Sequence, residues 1–255
     1  MSNSPLVSYT KLSPNHSGQR THVVDRITPH CVVGQCSVET LGNIFAPTSR
    51  QASCQYGIGV DGRVGMYVEE KNRSWCSSSN ANDQRAITIE CASDATHPYA
   101  FNDTVYAKLI ELCTDICKRY GKTKLLWFGD KTKTLNYEPA SNEMVLTVHR
   151  WFANKSCPGD WMYARMGDLA SKVTAKLGGS AGGTEKPADN QALYRVQTGA
   201  FSNKTNADAM LQKVKAAGFD TYMVKVDNLY KIQVGAFSKK ANADAMAAKL
   251  KAAGF

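Results

Sequence analysis

Nowhere among the 255 residues does an apolar run approach the about 18 needed to cross a bilayer, so no membrane-spanning helix is expected. The first residues, Met1-Ser-Asn-Ser-Pro-Leu-Val-Ser8, lack the basic start and apolar stretch of a signal peptide. The expected location is therefore the cytosol of the producing cell until something else releases the protein. Cysteine is absent after residue 157, and no Cys-x-x-Cys pair occurs among the eight present. An even count suits disulfides only in a small secreted chain, so reduced thiols are expected. Cys113 and Cys117, four apart, read as two thiols packed on one helix face. Acidic residues are also scarce, 22 against 31 Lys and Arg, which leaves a net charge of +9.

That charge is uneven. Residues 191–255 hold ten Lys or Arg against four Asp, a net of +6, whereas residues 1–177 carry +4. A cationic module favours anionic polymers such as nucleic acid, lipid or cell wall, and charge alone does not choose among them. The same tail contains a repeat. The stretch from Tyr194 to Phe219, which begins Tyr194-Arg-Val-Gln-Thr-Gly-Ala-Phe201, recurs 36 residues later from Tyr230 to Phe255, with 18 of 26 positions identical. Each unit reads as an alternating strand and an Ala- and Lys-rich helix closed by glycine, with one further strand over 221–226. The module is thus a small α+β unit, β-α-β-β-α. Val196, Val224 and Ile232 are expected to face the helices. Arg195, Gln197, Lys225, Lys231 and Gln233 are expected on the open face, which shows no aromatic platform for stacking single strands. Glycines and small polar residues over 178–190 read as a flexible linker. The domains are accordingly 1–177 and 191–255.

In the first domain, 56–60 and 64–68 flank Asp61-Gly62, a hairpin signal. Residues 85–91 and 125–128 read as strands, 104–120 as an amphipathic helix, and 158–177 as one final helix. Such mixing indicates an α/β domain with a central mixed sheet flanked by helices. Its most informative segment is His149-Arg-Trp-Phe-Ala-Asn-Lys155-Ser-Cys157-Pro158-Gly159. Imidazole and thiolate are both zinc ligands, and a catalytic zinc needs a third protein ligand and an open position. His30, in the apolar stretch after Val23-Val-Asp-Arg-Ile-Thr-Pro29, is the candidate; His22 competes and is given a structural role. In Ala86-Ile-Thr-Ile-Glu90-Cys91 a carboxylate occupies an otherwise apolar strand. It is either a general base or an exposed glutamate on an edge strand.

His30 in its strand, the 56–62 hairpin, Trp75, the Ile-Thr-Ile-Glu90 strand and the His149–Pro158 segment together resemble the zinc N-acetylmuramoyl-L-alanine amidases. These belong to the peptidoglycan-recognition and phage-lysozyme superfamily, and the likeness is to phage endolysins of clostridia and related Gram-positive hosts. The resemblance implies Zn2+ held by His30, His149 and Cys157, with Glu90 and Lys155 assisting catalysis. The implied substrate is the amide between N-acetylmuramic acid and L-alanine, and the implied role is an endolysin or autolysin, cytoplasmic until released and then at the wall. Two positions depart from the family. Cys54 stands where some relatives carry a catalytic tyrosine, with Tyr56 on the same strand face, and Cys76 stands where histidine is frequent. The tail resembles the SPOR (sporulation-related) peptidoglycan-binding domain, and against that resemblance its last strand is expected to be missing. That likeness makes peptidoglycan the expected partner, with no nucleic acid, and Arg195, Gln197, Lys231 and Gln233 the candidate contacts. Two other readings are a non-catalytic peptidoglycan-binding protein and a zinc peptidase cutting within the stem peptide.

Overall fold

The computed structural model describes residues 2–178 and 194–255, apart from 220, 227, 238 and 239. The linker expected over 178–190 lies, but for Gly178, outside the described residues. The chain divides into two compact units, Met1–Lys186 and Pro187–Phe255.

The first unit is a mixed α/β structure around one large sheet. Its strands are β1 (Val7–Thr10), β2 (His16–Gln19), β3 (Arg26–Cys31), β4 (Tyr56–Ile58), β5 (Val64–Met66), β6 (Asn72–Ser74), β7 (Ala86–Cys91), β8 (Lys124–Leu126) and β9 (Glu143–Leu146). Its helices are α1 (Val38–Phe45), α2 (Asn80–Arg85), α3 (Asp103–Arg119), α4 (Lys131–Leu135), α5 (Asp160–Tyr163) and α6 (Met166–Lys176). Seven strands form the sheet in the order β1-β5-β4-β7-β3-β9-β8, and β2 pairs with β6 separately. Every pair in the large sheet is parallel except β4 with β5. That exception is the Asp61-Gly62 hairpin, where Gly62 takes a φ of +81° that a side chain would strain.

The period of two decides what each sheet face carries. Ile27, Ile87 and Ile89 turn toward Val105, Leu109, Leu112 and Ile116 of α3 and Leu169 and Val173 of α6, and all are buried. Burying each such side chain contributes about 1.5–3 kcal/mol. The opposite face is polar. Thr28 and Thr147 share a hydroxyl bond of 2.7 Å, and Asn82 donates to Thr28 Oγ1 at 3.0 Å. Thr88 bonds Gln55 and Ser74. His30 and Glu90 stand on this polar face. The eight cysteines are free thiols, and Cys113 and Cys117 are both buried on α3.

Glu70, unnoticed in the sequence, ties the amino-terminal segment to the sheet. It is 1% exposed, accepts from both Arg119 Nη atoms at 2.8 and 2.6 Å, and accepts the Tyr56 hydroxyl at 2.5 Å. Removing one partner of a buried pair strands the other. Glu70→Ala is therefore expected to lower unfolding free energy by about 3–5 kcal/mol, as read from denaturant melts. A change of only a few tenths would mean that water replaces the carboxylate.

The final helix is broken, not continuous. Arg165 leaves helical geometry at φ −105° and ψ 2°, and separates α5 from α6. The break is held locally. The Arg165 guanidinium lies 4.0 Å from the Trp161 ring centre, and its Nη1 donates to the Trp161 carbonyl at 3.0 Å. Trp161 packs on Phe101 and Tyr106, while Met166, Leu169 and Val173 pack on the sheet, so two directions of burial are served.

The second unit has β10 (Tyr194–Phe201), α7 (Lys204–Ala216), β11 (Tyr222–Val226), β12 (Leu229–Phe237) and α8 (Lys240–Ala252). The sheet runs β10-β12-β11, with both pairings antiparallel. Val196 and Val234 pack with Val214 of α7 and Ala243 and Leu250 of α8. No helix among the described residues is long and apolar enough to cross a membrane.

Candidate metal centre and active site

Register assembles the site. In the parallel pairing of β3 with β7, His30 is the partner of Glu90, and Glu90 is also opposite Gly57 of β4. Glu90 therefore sits on an interior strand, not on an edge strand, and is 16% exposed. On the other side of β3 lies β9, whose continuation places His149 in a short 3-10 turn, His149–Trp151. The His30 and His149 rings are 5.1 Å apart. Cys157 returns from the following loop to put Sγ 3.2 Å from His30 Nδ1. All these groups lie at the carboxyl ends of parallel strands, where open α/β sheets leave a crevice.

The donor set fits a zinc ion. One ligand atom each from His30, His149 and Cys157 lies within 4.8 Å of the others, a spacing that small side-chain rotations close around one ion. Burial, and then the neighbouring His149, pushes the His30 pKa well down. Burial, and then the Lys155 ammonium, lowers that of His149. Both imidazoles are thereby kept neutral with a lone pair to offer. Burial first, and then a hydrogen bond with Cys31, raises the Cys157 thiol well above its usual range, so binding a metal must displace its proton. Glu90 supplies a further sign. Its Oε2 is buried without a hydrogen-bond partner, and burial raises its carboxyl to about 7 against the opposing charge of Arg50.

Two adjoining cavities open on this cluster, of about 510 and 450 Å³. Arg50, Glu90, His149 and Lys155 line both. Trp75 walls the first and donates its indole N–H to Ser17 Oγ at 2.7 Å. His30 and Cys157 line the second.

Some residues here were not singled out in the sequence. Arg50 ends a 3-10 turn, Thr48–Arg50, in a loop with no periodicity to mark it. Ser78 has φ +60° and places its hydroxyl 3.0 Å from His149 Nε2. Cys76, noted only as a departure, lies 3.4 Å from His30 Nε2 and 4.0 Å from Glu90 Oε1, so a thiol stands on each side of the His30 ring. Tyr56 is outside the site: it is fully buried and spends its hydroxyl on Glu70 and the Ser4 N–H. Cys54 is likewise buried, with its thiol on the Tyr56 carbonyl. His22 is exposed beside Thr21.

The repeat unit differs from expectation in detail. Arg195 and Gln197 are exposed and Lys231 is half-buried, but Gln233 is only 6% exposed. Gln233 is on the central strand, where the Tyr222 hydroxyl donates to its Oε1 at 3.0 Å and covers it. Tyr222, at 47% exposure, also gives that face an aromatic ring, which the sequence pattern did not suggest.

Two family models match the chain. Residues 19–160 match the family described as N-acetylmuramoyl-L-alanine amidase, a span that contains His30, Glu90, His149, Lys155 and Cys157. The chain belongs to that family. Residues 190–255 match the SPOR domain. Among solved structures, the peptidoglycan binding domain of the B. subtilis cell wall lytic enzyme CwlC is 50% identical, over 27% of this chain and 86% of that one, with a TM-score of 0.25. PlyL is 15% identical over 65% of this chain and 95% of that one, at 0.47. The endolysin amidase LysCS from Clostridium intestinale URNW is 15% identical over 68% and 98%, at 0.41. No curated protein matches the amidase chain.

Proposed function

We propose that this amidase is zinc-dependent and hydrolyses the amide between N-acetylmuramic acid and L-alanine in bacterial peptidoglycan. We propose further that it acts as a phage endolysin or an autolysin, cytoplasmic until released and then at the wall. The reading rests on one observation: His30, His149, Cys157 and the unpartnered Glu90 oxygen converge in an open crevice. His30, His149 and Cys157 would hold the zinc, which when bound supplies Lewis-acid charge to the scissile carbonyl and eases deprotonation of water.

The remaining work falls to the chain's own side chains. Glu90, at about 7, is poised to take the proton of the attacking water and pass it to the departing nitrogen of L-alanine. The Lys155 ammonium lines the cavities beside His149 and can stabilise the carbonyl oxygen as it turns anionic. Arg50, in both linings, adds positive charge on the same approach. Chelation is expected to abolish wall lysis and added zinc to restore it. Lysis unchanged after exhaustive chelation would remove the metal from the proposal.

The SPOR unit is proposed to hold the enzyme on the wall. Residues 1–177 should hydrolyse soluble muropeptides at close to the full-length rate, since all five site residues lie within them. They should bind intact walls more weakly, because a second tethered module raises effective concentration. The tail alone should bind walls less well as salt rises, given its net charge of +6. Equal wall binding by residues 1–177 and by the full chain would assign the repeat to another task.

A further inference from the structure

The amidase unit carries a second cationic cavity that the hydrolytic chemistry does not use. Its volume is about 490 Å³, and Arg26, Arg85, Lys131, Trp151 and Phe152 are among its walls. Ser78 and Ser79 line both this cavity and the 510 Å³ one, so the two meet at that turn. Arg26 is the unusual member. It is 5% exposed, yet among the described residues no carboxylate lies within ion-pair distance of it. Among the described residues its guanidinium makes one long hydrogen bond, 3.4 Å from Nη1 to Asn82 Oδ1.

Neighbouring acids do not fill the gap. Asp25 is taken by Arg85 at 2.9 and 2.5 Å, and Glu138 lies 3.4 Å from the same arginine. Arg26, Arg85 and Lys131 against Asp25 and Glu138 leave one positive charge in excess. A guanidinium buried without a matching anion is costly, and an anion that enters the cavity offsets that cost.

We infer that this cavity is a subsite for a carboxylate of the stem peptide, about three or four residues beyond the scissile amide. The inference rests on the amidase reading above. Arg26, Thr28 and His30 share one face of β3, so Arg26 lies about 13 Å from His30 along the strand, at about 3.3 Å per residue. Thr28 between them is buried, so a peptide reaches the cavity over the Ser78–Ser79 turn, a path no shorter than that distance and spanned by about four extended residues. The glycan offers no matching anion, because the lactyl carboxyl of muramic acid is consumed in the amide. Trp151 and Phe152 supply an apolar wall for the aliphatic part of the peptide, and Arg26 and Lys131 pair with its carboxylate.

The test uses the full-length zinc protein and two peptides, L-Ala–D-isoglutaminyl–L-Lys–D-Ala with a free carboxyl terminus and the same peptide as its terminal amide. Titration calorimetry gives their affinities, and the muramoyl tetrapeptide and muramoyl dipeptide give KM values. The free acid should bind about 10- to 100-fold more tightly than the amide, the scale of a charged hydrogen bond. That preference, and any KM advantage of the tetrapeptide over the dipeptide, should collapse in Arg26→Met and in Lys131→Ala. Lys131 is exposed, so its variant decides the matter if Arg26→Met does not fold. A wild-type preference that persists in a folded Arg26→Met or in Lys131→Ala, or equal binding of acid and amide, would overturn the subsite. Failure of the wild type to cut either muramoyl peptide would instead sink the amidase reading, and the calorimetry would still decide the cavity.

Discussion

Cys157→Ser and His149→Ala are each expected to lose zinc and wall hydrolysis together. A catalytic zinc is held by three protein groups; among the described residues His30, His149 and Cys157 form one such set, and His30, Cys76 and Glu90 form a second that shares His30. Serine keeps the size of cysteine but offers a hydroxyl that does not ionise near neutrality, so the site loses its thiolate. Alanine at 149 removes an imidazole that burial keeps neutral and able to bind. Outer-shell partners alone are worth about 10- to 100-fold in metal affinity, so a direct ligand should be worth more. Cys76→Ala provides the contrast. Its thiol faces His30 Nε2, whereas Cys157 faces Nδ1, and the variant should keep its zinc. Metal analysis of the purified proteins checks all three. Stoichiometric zinc and normal turnover in Cys157→Ser would take that residue out of the centre.

Glu90→Gln is expected to keep the fold and the metal while turnover falls by about 10²-fold or more, the scale of a lost general base. Glutamine matches the shape of glutamate and can occupy the same strand position opposite His30 and Gly57. It cannot accept the proton of water. The pH profile carries the same information. Burial raises the Glu90 carboxyl to about 7, and the ionised form is the active one, so the rate should fall as pH drops through the group's titration. Positive charge from a bound metal moves that limb to lower pH, and the limb should vanish in Glu90→Gln. Lys155→Ala should also lower turnover with the metal retained, by roughly 10²–10³-fold. A wild-type rate in Glu90→Gln would require another base, and fully buried Tyr56, committed to Glu70, is not placed to be one.

Much of the site was legible in the sequence, because its members are chemically conspicuous where they stand. His30 and Glu90 interrupt apolar strands, and His149 and Cys157 share a short segment with Lys155. Alternation along 86–91 correctly separated Ile87 and Ile89 from Thr88 and Glu90, since a strand's period of two is local. What brings the ligands together is not local. The register of β3 against β7 and the return of the 149–157 loop are fixed by packing across the sheet. Arg50, Ser78 and Arg26 were missed for the same reason: each is an ordinary polar residue until tertiary structure buries it or aims it. Glu70 reads as one acid in Glu69-Glu70-Lys71, and only the fold sets it against Arg119. The break at Arg165 escaped notice because the apolar spacing of a helix continues through it. Gln233 sits at the right phase for an open face, but the neighbouring strand lays Tyr222 over it.

The most direct measurement is mass spectrometry of purified cell wall digested by the full-length protein. Intact stem peptides that begin with a free L-alanine amine are expected, together with glycan whose muramic acid carries a free lactyl carboxylate. Fragments cut within the stem peptide, or no release of peptide at all, would contradict it.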